Sequence, residues 1–145
     1  MRVLGIDYGD RHIGLALSDP LLVTAQALGQ YEPRSPEEDT DFFQELAEKY
    51  QVGEIVIGLP LRMDGTSGTR VEKTRKFGNW LQEVLNIEVH YWDERLTTKQ
   101  AMAILNEDNK KMKKKKRFKD QISASLILSS YLESRVNSPY DPENT

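Results

Sequence analysis

The first part of the chain alternates between large apolar residues and small or polar ones, which predicts two strands. Residues 3–7 and 13–18 have this pattern, and the short segment between them contains Gly9 and Asp10, so we expect an antiparallel hairpin. One face of the second strand carries only small side chains, namely Gly14, Ala16 and Ser18. That face either leaves room for a ligand beside Asp7 or lets a helix pack closely on the sheet.

The remaining pattern alternates between helices and strands. The predicted elements are an extended segment at 23–31, a helix at 37–50, a buried strand at 54–58, a helix capped by Thr69 and Glu72 that ends near Leu85, a strand at 87–92, a helix at 101–106 capped by Thr97 and Gln100, and a final helix from Asp120 to about Val136. A hairpin followed by this alternation predicts an α/β fold with a mixed sheet and flanking helices. The order matches the ribonuclease H-like architecture.

A chain of 145 residues is most simply one domain. We expect that domain to span residues 1–136 and the last nine residues, 137–145, to form a loose tail containing two prolines.

Composition restricts the chemistry that the chain can perform. There is no cysteine, which excludes disulfides, zinc–thiolate sites, iron–sulfur clusters and cysteine nucleophiles. The two histidines, His12 and His90, are too far apart to form a metal-binding pair on one element, so oxygen ligands and hence Mg²⁺ or Mn²⁺ are favoured. No apolar stretch approaches 18 residues and no signal peptide is visible, so we expect a cytoplasmic protein without a membrane partner.

Positive charge is concentrated in one segment. Residues 110–119 contain eight of the 20 basic residues and no acidic one, which leaves 12 basic against 23 acidic residues elsewhere. Such a segment attracts a polyanion, although a solvated loop is an equally simple interpretation. The basic residues expected to contact nucleic acid are Arg11, Lys113, Lys114, Lys115, Lys116 and Arg117.

Acidic residues lie at three predicted element boundaries. Asp7 ends the first strand, Asp93 and Glu94 end the last one, and Asp120 begins the final helix. Each has an ordinary structural explanation: a turn, an ion pair with Arg95, or an acidic helix N-terminus. Strand alternation places Asp93, rather than Glu94, on the face of the other apolar residues, so it does not decide which of the two faces a metal.

Together, these three positions suggest metal-assisted chemistry. Carboxylates that converge repel one another and are stable only when protonated or bridged by cations. Two divalent ions about 3.5–4 Å apart can use such a cluster to hydrolyse a phosphodiester. The neighbouring basic segment could then hold the phosphates of the substrate.

Several segments resemble the YqgF/RuvX family. They are G-I-D-Y-G at 5–9, R-H-I-G at 11–14, S-D at 18–19, G-L-P-L-R-M-D-G at 58–65, D-E-R-L-T-T at 93–98, K-D at 119–120 and S-A-S-L-I-L-S-S-Y-L at 123–132. The resemblance covers nearly the whole chain to about residue 135. Two departures are Ser123-Ala124-Ser125, where the family usually has a pair of alanines, and the unusually long lysine run.

The resemblance implies a ribonuclease H-like fold and an endonuclease that matures the 5′ end of the small-subunit ribosomal RNA precursor. Its acidic residues correspond to Asp7, Glu94 and Asp120, which favours Glu94 over Asp93. The implied cofactor is Mg²⁺ or Mn²⁺, and the implied partners are precursor RNA and ribosomal particles. No apolar helix face stands out as an interface, so we expect a monomer or weak homodimer.

Three other functions remain open. The family is similar in fold to Holliday-junction resolvases, so branched DNA is an alternative substrate. A non-catalytic RNA-binding module would use the lysine run alone. An ATP-binding phosphotransferase also begins with G-I-D-x-G, but it needs a second glycine-rich loop and a second half-domain, for which this chain has no segment.

Overall fold

The computed structural model describes residues 1–61, 68–94 and 112–136, with only the backbone described at 112–122 and 136. Its elements are β1 (Arg2–Tyr8), β2 (Ile13–Ser18), β3 (Ala25–Tyr31), α1 (Pro36–Tyr50), β4 (Val52–Leu59), α2 (Thr69–Leu85), β5 (Val89–Asp93) and α3 (Met112–Val136). No helix among these is long and apolar enough to cross a bilayer.

Five strands form one mixed sheet in the order β3-β2-β1-β4-β5. The pairs β1–β2 and β2–β3 are antiparallel, whereas β1–β4 and β4–β5 are parallel. The predicted hairpin and the predicted mixed sheet are therefore confirmed. Because β1, β4 and β5 run in the same direction, their carboxyl ends meet at one rim of the sheet, where the strand order reverses.

Each face of the sheet is covered by a different core. On one face, α1 and α2 bury a cluster that includes Leu4, Ile6, Phe43, Ile57 and Leu81. On the other face, α3 buries a smaller cluster. Its members are Val3, Ala16, Val56, Ala124, Ile127, Leu128 and Leu132. A three-layer arrangement of this kind explains why the central strands are almost wholly apolar.

The small-residue face of β2 lies under α3. Ala16 is fully buried in the α3 cluster, and Ser18 accepts a hydrogen bond from the Val3 backbone N–H at 2.8 Å. On the adjacent strand, a Cβ added to Gly5 would lie 2.7 Å from the Leu128 Cβ, so only glycine permits this approach. Of the two interpretations of the small face, close helix packing is the one that the structure supports.

Two predicted helix starts are wrong. Gly68, not Thr69, is the N-cap of α2 and makes no side-chain cap, so the predicted capping box does not form. The final helix begins at Met112 rather than Asp120, and it therefore includes the segment 113–117 that was expected to be a loop. Lysine is a good helix former and no glycine or proline interrupts residues 107–136, so the helix extends through the positive run despite the unfavourable dipole.

Other predicted boundaries differ only slightly. The first helix begins at Pro36, one residue earlier than expected, and the Ser35 hydroxyl caps it by accepting from the Glu38 N–H at 3.1 Å. Several predictions fall outside the described residues: the loop at 62–67, the helix at 101–106 and the tail at 137–145. The side chains at 113–117 and at Asp120 also lie outside them.

Candidate active site

Asp7 is carried to the rim of the sheet by β1. Alternate residues of a strand face opposite sides, so Asp7 shares the α3 side with Val3 and Gly5. Its neighbour across the hairpin is Gly14, which has no side chain to cover it. Asp7 is half-buried. Apolar residues before it fix the strand, and the turn at Gly9 leaves the carboxylate at the strand end.

Glu94 reaches the same place from the other side of β4. It directly follows β5, and its backbone N–H donates to the Leu59 carbonyl at 3.1 Å. Its side chain then crosses over Gly58, where an added Cβ would lie 2.8 Å from Glu94 Oε1. Because Gly58 has no Cβ, the carboxyl group can extend from the end of β5 towards the end of β1.

Asp7 and Glu94 form a hydrogen-bonded carboxyl pair. Burial raises the pKa of Glu94 to about 7, and the nearby charge of Asp7 and the hydrogen bond to it act in the same direction. Burial and the neighbouring carboxylate therefore favour the protonated form of Glu94.

Arg70 of α2 lies beside this pair. Its guanidinium donates to Asp10 at 2.8 Å and to the Tyr8 carbonyl, and it lies 5.6 Å from the centre of the Tyr8 ring. Its positive charge lowers the pKa of Glu94, opposing the effect of burial. Arg70 thus fixes the turn that follows Asp7 and supplies positive charge near the carboxyl pair.

The other predicted site residues are placed as follows. Asp93 ends β5, and its charge contributes to raising the pKa of Glu94, but Glu94 is the residue that hydrogen-bonds with Asp7. Arg11 is exposed in the hairpin turn. The Asp120 backbone lies within α3. Across the described residues, no group of three histidines, cysteines or carboxylates is close enough to hold a metal ion.

The Asp7–Glu94 pair has the chemistry of a divalent cation site. It offers hard oxygen ligands, which suit Mg²⁺ or Mn²⁺. Burial and the nearby charge of Asp7 raise the pKa of Glu94, and a bound cation would favour the ionised form of both carboxylates. The residues therefore fit a divalent ion.

The sequence pattern did not indicate two residues of this site. Gly58 ends an apolar strand, and a glycine in a strand can mark a close approach, which was the available signal. Arg70 had no such signal, because it lies in a helix rich in other cations and contacts the hairpin from a distance of 60 residues along the chain.

The fold and the carboxyl pair at its rim define the class of ribonuclease H-like nucleases. The chain matches, over residues 1–134, the family described as "RuvX: Holliday junction resolvase". It is 47% identical over 132 residues to a protein of Halothermothrix orenii, covering 91% of this chain and 94% of that one. It is 45% identical over 139 residues to a protein of Caldanaerobacter subterraneus subsp. tengcongensis, covering 95% and 100%. Both relatives carry the name "Putative pre-16S rRNA nuclease". The chain belongs to the RuvX family.

Solved structures support the fold assignment. RuvC of T. thermophilus, in complex with a Holliday-junction substrate, matches with a TM-score of 0.56 at 13% identity, covering 95% of this chain and 98% of that one. The fowlpox virus Holliday-junction resolvase matches with a TM-score of 0.52 at 12% identity, covering 93% and 99%. At such low identity, these similarities establish a shared architecture. The predicted ribonuclease H-like fold is confirmed.

Proposed function

We propose that this protein is a divalent-metal-dependent endonuclease that hydrolyses phosphodiester bonds in structured RNA. We assign as its substrate the 5′ end of the 16S rRNA precursor, processed in the cytoplasm on ribosomal particles. The observation that carries the proposal is that Asp7, at the end of β1, and the Glu94 side chain, which crosses over Gly58, meet at one rim of the sheet. Relatives at 42–47% identity that bear the pre-16S rRNA nuclease name support the choice of substrate.

We assign Asp7, Glu94 and Asp120 as the metal ligands and catalytic carboxylates. A bound Mg²⁺ or Mn²⁺ would supply Lewis-acid stabilisation and an activated water for hydrolysis. The chain contributes the placement of the ligands: β1 presents Asp7, Gly58 lets Glu94 cross β4, and Arg70 secures the turn after Asp7. As a metal ligand, Glu94 would be ionised and its proton would pass to solvent.

Substrate binding is assigned to the basic residues Arg11, Lys113, Lys114, Lys115, Lys116 and Arg117. The segregation of charge along the chain supports this assignment, because the 12 basic residues outside 110–119 are outnumbered by 23 acidic ones. A surface that is negative elsewhere orients a polyanion towards the one positive segment. Phosphate contacts of this kind make binding weaken as salt concentration rises.

The test uses purified protein, precursor 16S rRNA and either Mg²⁺ or Mn²⁺. Asp7→Asn, Glu94→Gln and Asp120→Asn should each abolish cleavage, whereas Glu88→Gln should not, because Glu88 is exposed at the opposite end of β5. Mn²⁺ binding, followed by the paramagnetic resonance signal of the free ion, provides a readout besides activity. Equal Mn²⁺ binding by wild type and Asp7→Asn would contradict the assigned site.

A Holliday-junction resolvase is the second candidate, favoured by the architecture shared with RuvC of T. thermophilus. Competition between precursor rRNA and a four-way DNA junction in one reaction separates the two substrates. A non-catalytic RNA-binding module would instead bind RNA equally well after Asp7→Asn and show no metal-dependent cleavage.

A further inference from the structure

An aromatic cavity opens on the α1–α2 side of the sheet, opposite the carboxyl pair. It has a volume of about 480 Å³ and lies between the start of α1, the middle of α2 and the hairpin. Aromatic rings form much of its wall, contributed by Tyr8, Phe43, Phe77 and Trp80. A cavity of this size is within the range that holds a small organic ligand.

The rings of the wall are arranged to present flat surfaces. Tyr8 and Phe77 stack with their ring centres 4.5 Å apart and an interplanar angle of 23°. Phe77 continues to Trp80 at 5.9 Å and 35°. All three side chains are half-buried, unlike the fully buried Phe43 behind them. Half-buried aromatic faces are the surfaces on which unpaired bases stack.

Positive charge lines the opening of the cavity. Lys73 and Lys76 are both exposed and border it from α2. Two acidic residues also border it, but both have partners. Asp10 pairs with Arg70 at 2.8 Å, and Asp39 accepts from the Tyr31 hydroxyl at 2.6 Å.

The lysines are therefore available to an anion. Lys73 lies 3.9 Å from the already paired Asp10, and no carboxylate of the described residues lies within ion-pair distance of Lys76. Arg70 balances the charge of Asp10, and the two lysines together outweigh the remaining charge of Asp39 at the opening. The cavity thus combines flat aromatic surfaces with ammonium groups.

The cavity and the carboxyl pair lie on opposite faces of the sheet at the same end of β1. Tyr8 follows Asp7 directly, and the two side chains point to opposite faces at the same end of the strand. Arg70 joins the two regions, since its guanidinium contacts the Tyr8 carbonyl and ring and also Asp10 at the opening. A nucleic-acid strand that leaves the carboxyl pair over the hairpin turn would reach the cavity next.

We propose that this cavity binds one unpaired nucleotide of the substrate, with its base against the half-buried Trp80 and its phosphate at Lys73 and Lys76. This inference rests on the proposed nuclease function, because the nucleotide belongs to the strand that is cleaved. The cavity would favour substrates with single-stranded residues next to the cleavage site over continuous duplex.

Trp80 itself reports on binding. In a Trp92→Phe background, the remaining tryptophan lies in the cavity wall, so stacking of a base should quench its fluorescence. Titration with a short oligouridylate should give saturable quenching, and a blunt RNA duplex of similar length should not. Absence of quenching by the oligouridylate at concentrations where it binds the protein would overturn the proposal.

Affinity measurements on substituted proteins provide the second arm. For an RNA hairpin with a single-stranded overhang, Trp80→Leu should weaken binding by about tenfold, as expected for loss of one stacked base. Trp80→Phe should retain most of the affinity, and Lys76→Gln should reduce it. Lys49→Gln is the matched control, an exposed lysine at the far end of α1 that lies 5.3 Å from the Tyr50 ring. Equal affinities for Trp80→Leu and wild type would overturn the proposal.

The outcomes separate this inference from the nuclease assignment. If Asp7→Asn abolishes cleavage but Trp80→Leu binds and cleaves the overhang substrate like wild type, the cavity proposal fails and the nuclease assignment stands. If the oligouridylate quenches Trp80 but no metal-dependent cleavage occurs, the nuclease assignment fails and nucleotide binding is supported. A concentration-dependent dimer that Trp80→Leu disrupts would assign the cavity to a second copy of the chain and overturn the proposal.

Discussion

Glu94 is held where an ionised carboxylate is destabilising. Its side chain is half-buried, packs over Gly58 and faces Asp7, so three effects favour its protonated form: burial, like charge and a hydrogen bond. Arg70 offsets them only in part, because its guanidinium is already paired with Asp10. Ionising Glu94 therefore destabilises the folded state, and a bound cation would remove this destabilisation.

Replacing Glu94 by glutamine should therefore stabilise the metal-free protein at alkaline pH. The folded protein keeps the Glu94 proton up to about pH 7, whereas the ordinary pKa is 4.5. Between these values the folded state binds more protons than the unfolded state, so stability falls as pH rises through that window. Glutamine has no proton to lose. In EDTA at about pH 8 we expect Glu94→Gln to gain on the order of 3 kcal/mol, the free energy that corresponds to a rise in pKa from 4.5 to about 7.

Thermal unfolding at about pH 5 and about pH 8 checks this prediction. The gain should be small at the lower pH, where Glu94 is protonated, and Glu88→Gln should show no such pH dependence. If the wild type and Glu94→Gln have the same difference in melting temperature at both pH values, the proposed protonation of Glu94 is wrong.

Gly58→Ala should disable the site through Glu94. An added Cβ would lie 2.8 Å from Glu94 Oε1 and would also collide with Ile127 Cδ1, so both stability and carboxyl placement suffer. Combining it with Ile127→Val removes the second collision because valine has no Cδ1. We expect the double variant to recover part of the lost stability while its Mn²⁺ affinity stays at least tenfold below wild type.

Calorimetric titration with Mn²⁺ and thermal unfolding measure the two effects separately. Ile127→Val alone is the control and should bind Mn²⁺ normally, with a cost of about 1 kcal/mol for the lost methyl group. Normal Mn²⁺ affinity in the Gly58→Ala protein would show that Glu94 does not need to cross β4 there.

For single residues, the sequence predicts which chemical groups lie near the site better than it predicts the contacts that those groups make. Asp7 could be placed at a rim because an apolar strand precedes it and a turn follows. Choosing Glu94 over Asp93 needed the family resemblance, since alternation along β5 continues only to Asp93. Arg70 and Gly58 depend on contacts between elements distant in the chain, which periodicity does not encode. The catalytic roles of Asp7, Glu94 and Asp120 stay predictions.

Among the elements, α3 determines how closely one layer approaches the sheet. Its small residue Ala124 is fully buried, and its Leu128 occupies the space that Gly5 leaves open. Near its C-terminal end, Tyr131 donates a short hydrogen bond to Glu54 and Arg135 pairs with the same carboxylate at 3.1 Å. Burial and the hydrogen bond to Glu54 raise the pKa of Tyr131 above its usual value, whereas the charge of Arg135 lowers it. The helix is thus fixed at both its packed face and its end.

Ala124→Leu should loosen this layer. Added methyl groups have no space between α3 and β1, since the Ala124 carbonyl already lies 3.1 Å from where a Gly5 Cβ would be. Overpacking of this kind costs about 1–3 kcal/mol. Urea unfolding measures it, with Ser129→Leu as the control because Ser129 is exposed on the same helix. Equal losses in both variants would indicate that helix propensity, rather than packing, is responsible.

The order and type of the elements were predictable because each periodic segment is long enough to show whether it forms a helix or a strand. The hairpin, the apolar β4 and the acidic start of α1 all formed within a few residues of expectation. The predicted start of α3 was wrong. Asp120 is a favourable residue at a helix N-terminus, whereas lysines oppose the helix dipole there. Propensity over the uninterrupted segment outweighed that local electrostatic preference.

At the scale of the whole molecule, the assembly state is informative about the substrate. A four-way junction has two equivalent strands to cut, which requires two active sites related by a two-fold axis. A single RNA 5′ end requires one. A monomer would therefore favour RNA processing, and a two-fold dimer would favour junction resolution.

Kinetics at different protein concentrations provide the final test. A monomeric RNA nuclease should give a cleavage rate per molecule that does not depend on its concentration, whereas for a weak dimer the rate per molecule should rise in proportion to concentration until the dimer saturates. Sedimentation velocity over the same range reports the dimer directly, and Asp7→Asn mixed with wild type shows whether sites cooperate. We expect rRNA cleavage to fall in proportion to the inactive fraction. A steeper fall would mean that an inactive partner silences an intact active site, so that the two sites depend on each other. Together with paired incisions in a four-way junction, that outcome would identify branched DNA as the substrate.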